Sequence, residues 1–136
     1  MDNRIIVIDD EQDFLDSVKR GLTMSGFRNV QMEIDPMKAA ARFEQGEAFD
    51  IALIDVTMPF MNGVGLLELI KKTSPNTECI MVTAKNDAKV AVQCMKKGAY
   101  DYLVKPISRD ELVLTIKNTL ENKRLRTREK EKLPKN

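Results

Sequence analysis

The run Arg4-Ile5-Ile6-Val7-Ile8-Asp9-Asp10 decides how this chain is read. An apolar stretch of strand length, with no polar alternation, ends in two adjacent carboxylates. Such a pattern fits a strand covered on both faces, as in parallel sheets. Two further runs repeat the design: Asp50-Ile51-Ala52-Leu53-Ile54 closes on Asp55, and Tyr102-Leu103-Val104 closes on Lys105-Pro106. Laid parallel in one sheet, they bring their terminal side chains to its carboxyl edge. Open α/β sheets bind ligands there.

Between these runs lie helix-length amphipathic stretches, the alternation expected of strands joined by crossover helices. After the first strand at residues 4–9, Phe14, Leu15, Val18 and Leu22 recur at helical spacing, and Gly26 marks a stop. Residues 29–34 read as a second strand. Asp35-Pro36 then supplies a cap and a first-turn proline for a helix ending near Gln45 and Gly46. Residues 50–55 are the third strand, and Pro59 to Gly63 a loop. A helix follows through Leu66, Leu67 and Ile70, with Gly65 inside it. Residues 78–83 form the fourth strand, and Asn86-Asp87 caps a helix ending at Gly98. Residues 101–105 form the fifth strand. Ser108 with Glu111 makes a capping box for the last helix, whose apolar face is Leu112, Val113, Ile116 and Leu120. That helix is expected to reach about Lys130, with Leu133-Pro134-Lys135-Asn136 a ragged end.

These five β/α units imply a three-layer sandwich of the flavodoxin-like kind, a parallel sheet of order 2-1-3-4-5 with five helices. Strands 1 and 3 are then neighbours. Asp9, Asp10 and Asp55 border the crevice between them, and Thr83 and Lys105 reach the same edge. Three carboxylates that close repel: at ~4 Å and an effective dielectric near 20, each like-charged pair costs roughly 4 kcal/mol. A divalent cation relieves this, and an all-oxygen site suits magnesium. Asp55 is then placed to act as a nucleophile toward phosphorus, with Lys105 neutralising the transferring group and the Thr83 hydroxyl donating a hydrogen bond. Any one of these residues is ordinary at a strand end. Their occurrence together carries the argument.

The chain resembles the receiver domain of bacterial two-component response regulators. The matching residues are Asp9-Asp10, Asp55 with Val56-Thr57-Met58-Pro59 and Asn62-Gly63, Thr83-Ala84, and Gly98 through Pro106. The resemblance spans about residues 3–122. It implies a receiver over residues 1–122 and a charged helical extension or linker over 123–136. It implies that Asp55 accepts phosphate from a sensor histidine kinase. Asp10 would bind Mg2+ directly, Asp9 largely through water, and Thr57 through its backbone carbonyl. Thr83 and Tyr102 would form a switch pair, Lys105 would hold the phosphoryl group, and the Lys105-Pro106 bond would be cis. Thr57 and Lys85 fall where the family varies, so the resemblance leaves phosphoryl lifetime open. The run Met81 to Asp87 and the charged extension look most like receivers of enhancer-binding transcriptional activators. Effector domains would then follow C-terminally, and a homodimer would form through the fourth helix, fifth strand and last helix.

Composition sets limits on these readings. The 136 residues, 43% hydrophobic and 32% charged, suit one globular domain. No apolar run approaches a membrane span and no export leader is evident, so a cytoplasmic protein is expected. Cys79 and Cys94 read as reduced core thiols. The chain has no histidine, so any phosphohistidine must come from another protein. Residues 121–136 hold seven Lys/Arg against three Glu, a net +4, which leaves −3 of the total +1 for the body. This tail reads as a solvated helix or linker and not as a direct DNA contact, because no recognition motif accompanies it.

The rival readings fit less well. A stand-alone receiver relaying phosphate remains an alternative. An aspartyl phosphohydrolase would typically carry a second acid where Thr57 stands, so the chain is expected to be no such enzyme. A dinucleotide fold would need Gly-x-Gly-x-x-Gly after the first strand, and it is missing. A phosphate-independent interaction module leaves the complete acidic set and lysine unexplained.

Overall fold

The computed structural model describes residues 1–132, with side chains through Glu129. Strands and helices alternate along it: β1 (Arg4–Ile8), α1 (Gln12–Met24), β2 (Asn29–Glu33), α2 (Pro36–Glu44), β3 (Ile51–Asp55), α3 (Gly63–Thr73), β4 (Glu78–Thr83), α4 (Ala88–Lys96), β5 (Asp101–Val104) and α5 (Arg109–Lys132). The strands form one parallel sheet of order β2-β1-β3-β4-β5, as expected. Ile5 pairs with Ile51 and Asp55 with Val82, so the ends of the three central strands share one edge.

Alternate residues of the apolar strands feed two cores. Ile6, Ile8, Ala52, Ile54 and Met81 face Ala39, Phe43, Leu66, Ile70 and Cys94 on one side. Ile5, Val7, Ile51, Leu53 and Val82 face Leu15, Val18, Leu22, Leu112 and Ile116 on the other. Every residue of β3 and β4 is buried, which is why these runs lack polar alternation. Cys79 and Cys94 are free, buried thiols. Among the described residues no helix is long and apolar enough to cross a membrane.

Local capping follows the sequence. The Asp35 carboxylate accepts from the Met37 N–H at 2.9 Å, and Pro36 opens α2. Asp87 accepts from Lys89 at 3.0 Å, and the Ser108 hydroxyl from the Glu111 N–H at 3.1 Å. One boundary moves. Gly63 is the first residue of α3 and not the end of a loop, because Asn62 caps that helix through the Gly65 N–H at 2.9 Å.

The charged extension adds contacts that the sequence did not announce. It is helical and mostly exposed, as expected of a solvated helix, yet two of its side chains reach back to the body. Lys123 is half-buried and reaches Asp50 at 3.4 Å, and Arg126 meets the nearly buried Glu78 at 2.6 Å. α5 therefore runs past its last core contacts and lies across the amino-terminal ends of β3 and β4. The ragged end expected at Leu133 to Asn136 falls outside the described residues.

Candidate functional site

Asp9 follows directly on β1, and its N–H donates to the Glu33 carbonyl at 3.2 Å, extending the strand ladder by one residue. Lys105 does the same after β5, its N–H donating to the Thr83 carbonyl at 2.7 Å. These bonds fix both side chains at the carboxyl edge. Asp55 closes β3, and the chain behind it is braced by Val56 N–H to Val82 O at 3.0 Å and Gly63 N–H to Val56 O at 2.7 Å. Gly63 lies so close that a Cβ there would meet the Asp55 carbonyl oxygen at 2.1 Å, which explains a glycine at the start of α3.

Asp9, Asp10 and Asp55 each present an oxygen within 4.8 Å of the others. Asp9 is fully buried and Asp55 nearly so, whereas Asp10 is exposed. Lys105 donates to Asp9 Oδ2 at 2.9 Å and lies 3.5 Å from Glu11 Oε1. The Glu11 N–H donates to Asp9 Oδ1 at 2.9 Å, and the Thr57 N–H to Asp55 Oδ1 at 3.3 Å. Thr83 is buried, its hydroxyl accepting from the Lys85 N–H at 3.2 Å. Tyr102 is half-buried and donates to the Lys85 carbonyl at 3.3 Å, while the Lys85 side chain faces solvent. The Lys105-Pro106 peptide is cis.

One ammonium does not neutralise this acid cluster. Burial, then the adjacent Asp9 charge, push the Asp55 carboxyl from an ordinary 3.8 up to about 7, against the pull of Lys105 and the Thr57 N–H. Burial also raises Asp9, although Lys105 and the Glu11 N–H oppose it. Lys105 is held above the usual lysine range: burial works against its charge, but the bond to Asp9 and the charges of Asp9, Asp55 and Glu11 outweigh it. Clustered carboxylate oxygens with no imidazole or thiolate among them are the donor set of a hard divalent cation.

Two participants escaped the sequence reading. Glu11 follows Asp9-Asp10 directly and is the second carboxylate near the lysine. Phe14 reads in the sequence only as part of the apolar face of α1, yet its ring lies under the Lys105 ammonium at 4.1 Å. Its place four residues beyond Asp10, on the turn that opens α1, was the available signal.

Residues 5–117 match the response regulator receiver domain family. The chain belongs to that family. Receivers bind magnesium at an acidic pocket and interact with histidine kinases, and Asp9, Asp10 and Asp55 form an acidic cluster able to hold a metal ion. The receiver is 32% identical over 121 residues to the transcriptional regulatory protein ZraR of Klebsiella oxytoca, covering 89% of this chain and 27% of that protein. It is 29% identical over 119 residues to a cyclic di-GMP phosphodiesterase of Thermotoga maritima, covering 88% of this chain and 31% of that one. The receiver thus spans less than a third of the length of these curated relatives. A CheY-like receiver domain from Methanospirillum hungatei superposes with a TM-score of 0.87 at 32% identity, covering 93% of this chain and 99% of that one.

Proposed function

We infer that this receiver takes a phosphoryl group onto Asp55 from the phosphohistidine of a sensor histidine kinase and switches conformation to control an output. The observation that carries this reading is the nearly buried Asp55 carboxylate, grouped with Asp9 and Asp10 within 4.8 Å beside the Lys105 ammonium.

An Asp55 carboxylate oxygen forms the new bond to phosphorus as the nitrogen–phosphorus bond of the donor breaks, its electron pair returning to the imidazole ring. Lys105 lies close enough to meet the developing charge on the equatorial oxygens once its contact with Asp9 loosens. The Thr83 hydroxyl, which accepts from the Lys85 N–H, supplies a hydrogen bond. Asp9, Asp10, Asp55 and the Thr57 carbonyl would hold Mg2+. When bound, that ion neutralises carboxylate and phosphoryl oxygens together.

Thr83 and Tyr102 are proposed as the switch pair. Both bond to Lys85, one to its N–H and one to its carbonyl, so movement of Thr83 toward a phosphoryl group disturbs the contact that holds the Tyr102 hydroxyl. Tyr102 then turns further inward, and the face of α4, β5 and α5 changes shape. Val92, Met95 and Leu114 are exposed on the two helices of that face, at 53%, 46% and 61%, which supports a homodimer there. The receiver proper is assigned to residues 1–122 and the helical extension to 123–136, leading to C-terminal effector domains in a cytoplasmic transcriptional regulator. The chain itself is regulatory and not an enzyme acting on a separate substrate.

Acetyl phosphate with magnesium, followed by intact-mass spectrometry, tests this directly. The wild type should gain one phosphoryl group and Asp55→Asn none. Equal labelling of the two would overturn the assignment.

A further inference from the structure

The loop between β3 and α3 holds the most exposed large apolar side chain among the described residues. Phe60 is 97% accessible, and its backbone sits in the left-handed region at φ 68°, the only non-glycine among the described residues to do so. Two costs meet at one position. An aromatic ring is left in water, and an L side chain is kept in a conformation that suits glycine or asparagine. The loop around it is braced. Met58 is buried in the core, the Met61 N–H donates to the Pro59 carbonyl at 2.8 Å, the Gly63 N–H to the Val56 carbonyl at 2.7 Å, and Asn62 caps α3. A braced loop that points an aromatic ring into solvent gains nothing for its own fold.

What meets that ring follows from the chemistry of the neighbouring site. Phe60 stands five residues beyond Asp55, on the loop that leaves the carboxyl edge. These 136 residues hold no histidine, so a phosphohistidine reaches Asp55 from outside this domain, arriving over that edge. A small donor needs no such surface. We propose that Phe60 is an anchor for the phosphodonor protein, seating in an apolar hollow beside the phosphohistidine so that the phosphorus lines up with Asp55. Exposed aromatics of this kind dominate the energetics of protein contacts. The inference rests on the phosphoacceptor reading and adds to it a residue that distinguishes protein donors from small ones.

The test compares two donors on the whole chain. A panel of autophosphorylated histidine-kinase cores is screened on the wild type and the fastest is kept; acetyl phosphate with magnesium is the small donor. Phe60→Ala and Phe60→Gly should each lower kcat/KM for the kinase by about tenfold or more, while Phe60→Tyr retains most of it. Rates with acetyl phosphate should stay within about twofold for all three. Phe60→Gly also removes the left-handed strain, so equal losses in Ala and Gly assign the effect to the ring. Unchanged kinase transfer in Phe60→Ala overturns the proposal, and so does an equal loss with both donors, which would mark a role in loop geometry. Loss of self-association in sedimentation with kinase transfer intact would give the ring to a second copy and likewise overturn it. Failure of acetyl phosphate to label wild-type Asp55 is a separate result that removes the phosphoacceptor reading first.

Discussion

The two ends of the central strands treat charge in opposite ways. At the amino-terminal end, acids find basic partners. Asp50 accepts from the Arg4 N–H at 2.8 Å and faces Lys123 at 3.4 Å, Glu78 meets Arg126 at 2.6 Å, and Arg4 reaches Glu47 at 3.4 Å while lying over the Phe49 ring. At the carboxyl-terminal end, Asp9, Asp10 and Asp55 crowd together with Lys105 as the cation bonded among them. One edge is electrostatically closed, and the other keeps an excess of negative charge in a buried setting. The same strands, β3 and β4, run between them. The second edge gives up stability to hold its carboxylates together, as functional sites commonly do.

The sharpest way to break this contrast is to remove a carboxylate where acids crowd. Asp55 has a folded pKa of about 7, above its ordinary 3.8, so its contribution to stability is complete below about pH 4 and is lost as pH rises through 7. In chelator at pH 8, Asp55→Asn should therefore be more stable than wild type by ~2–4 kcal/mol in urea melts. The advantage should vanish toward pH 4. A metal-free variant no more stable than wild type at pH 8 would mean that the edge carries no such strain.

Magnesium sharpens the comparison at the same edge. At ten times its Kd it should add ~1.4 kcal/mol to the wild type at neutral pH. Asp10→Asn should lose most of that gain, and Arg126→Ala, at the far edge, should keep it. Thermal melts with and without the ion would tell these apart.

The smallest effect belongs to the closed edge and has the opposite sign. Arg126→Ala should destabilise by ~1 kcal/mol, because Glu78 is nearly buried while the arginine is half exposed and screened. Added salt should narrow the gap. A stabilised Arg126→Ala would refute the idea that the amino-terminal edge is the neutralised one.

Much of the architecture was legible because it is written locally. Apolar runs in β1, β3 and β4 carry their two-faced burial in composition, and Asp35, Asp87 and Ser108 announce helix starts through bonds spanning two or three residues. Even the site was readable as a set, since each member stands at the end of a run whose direction the crossover rule fixes. Asn62 as a cap was missed because Pro59 and Gly63 made the whole stretch read as loop.

The amino-acid sequence by itself determined the order of elements, the parallel sheet and the gathering of Asp9, Asp10, Asp55, Thr83 and Lys105 at one edge, because period and strand direction are short-range properties. Only the tertiary structure decided that Lys123 and Arg126 close the opposite edge on acids 73 and 48 residues away. It alone put Phe14 under the lysine and turned Phe60 into solvent. Those contacts depend on how a helix lies across a sheet and on one backbone angle in a turn. Neither leaves a periodic trace, so packing has to supply them.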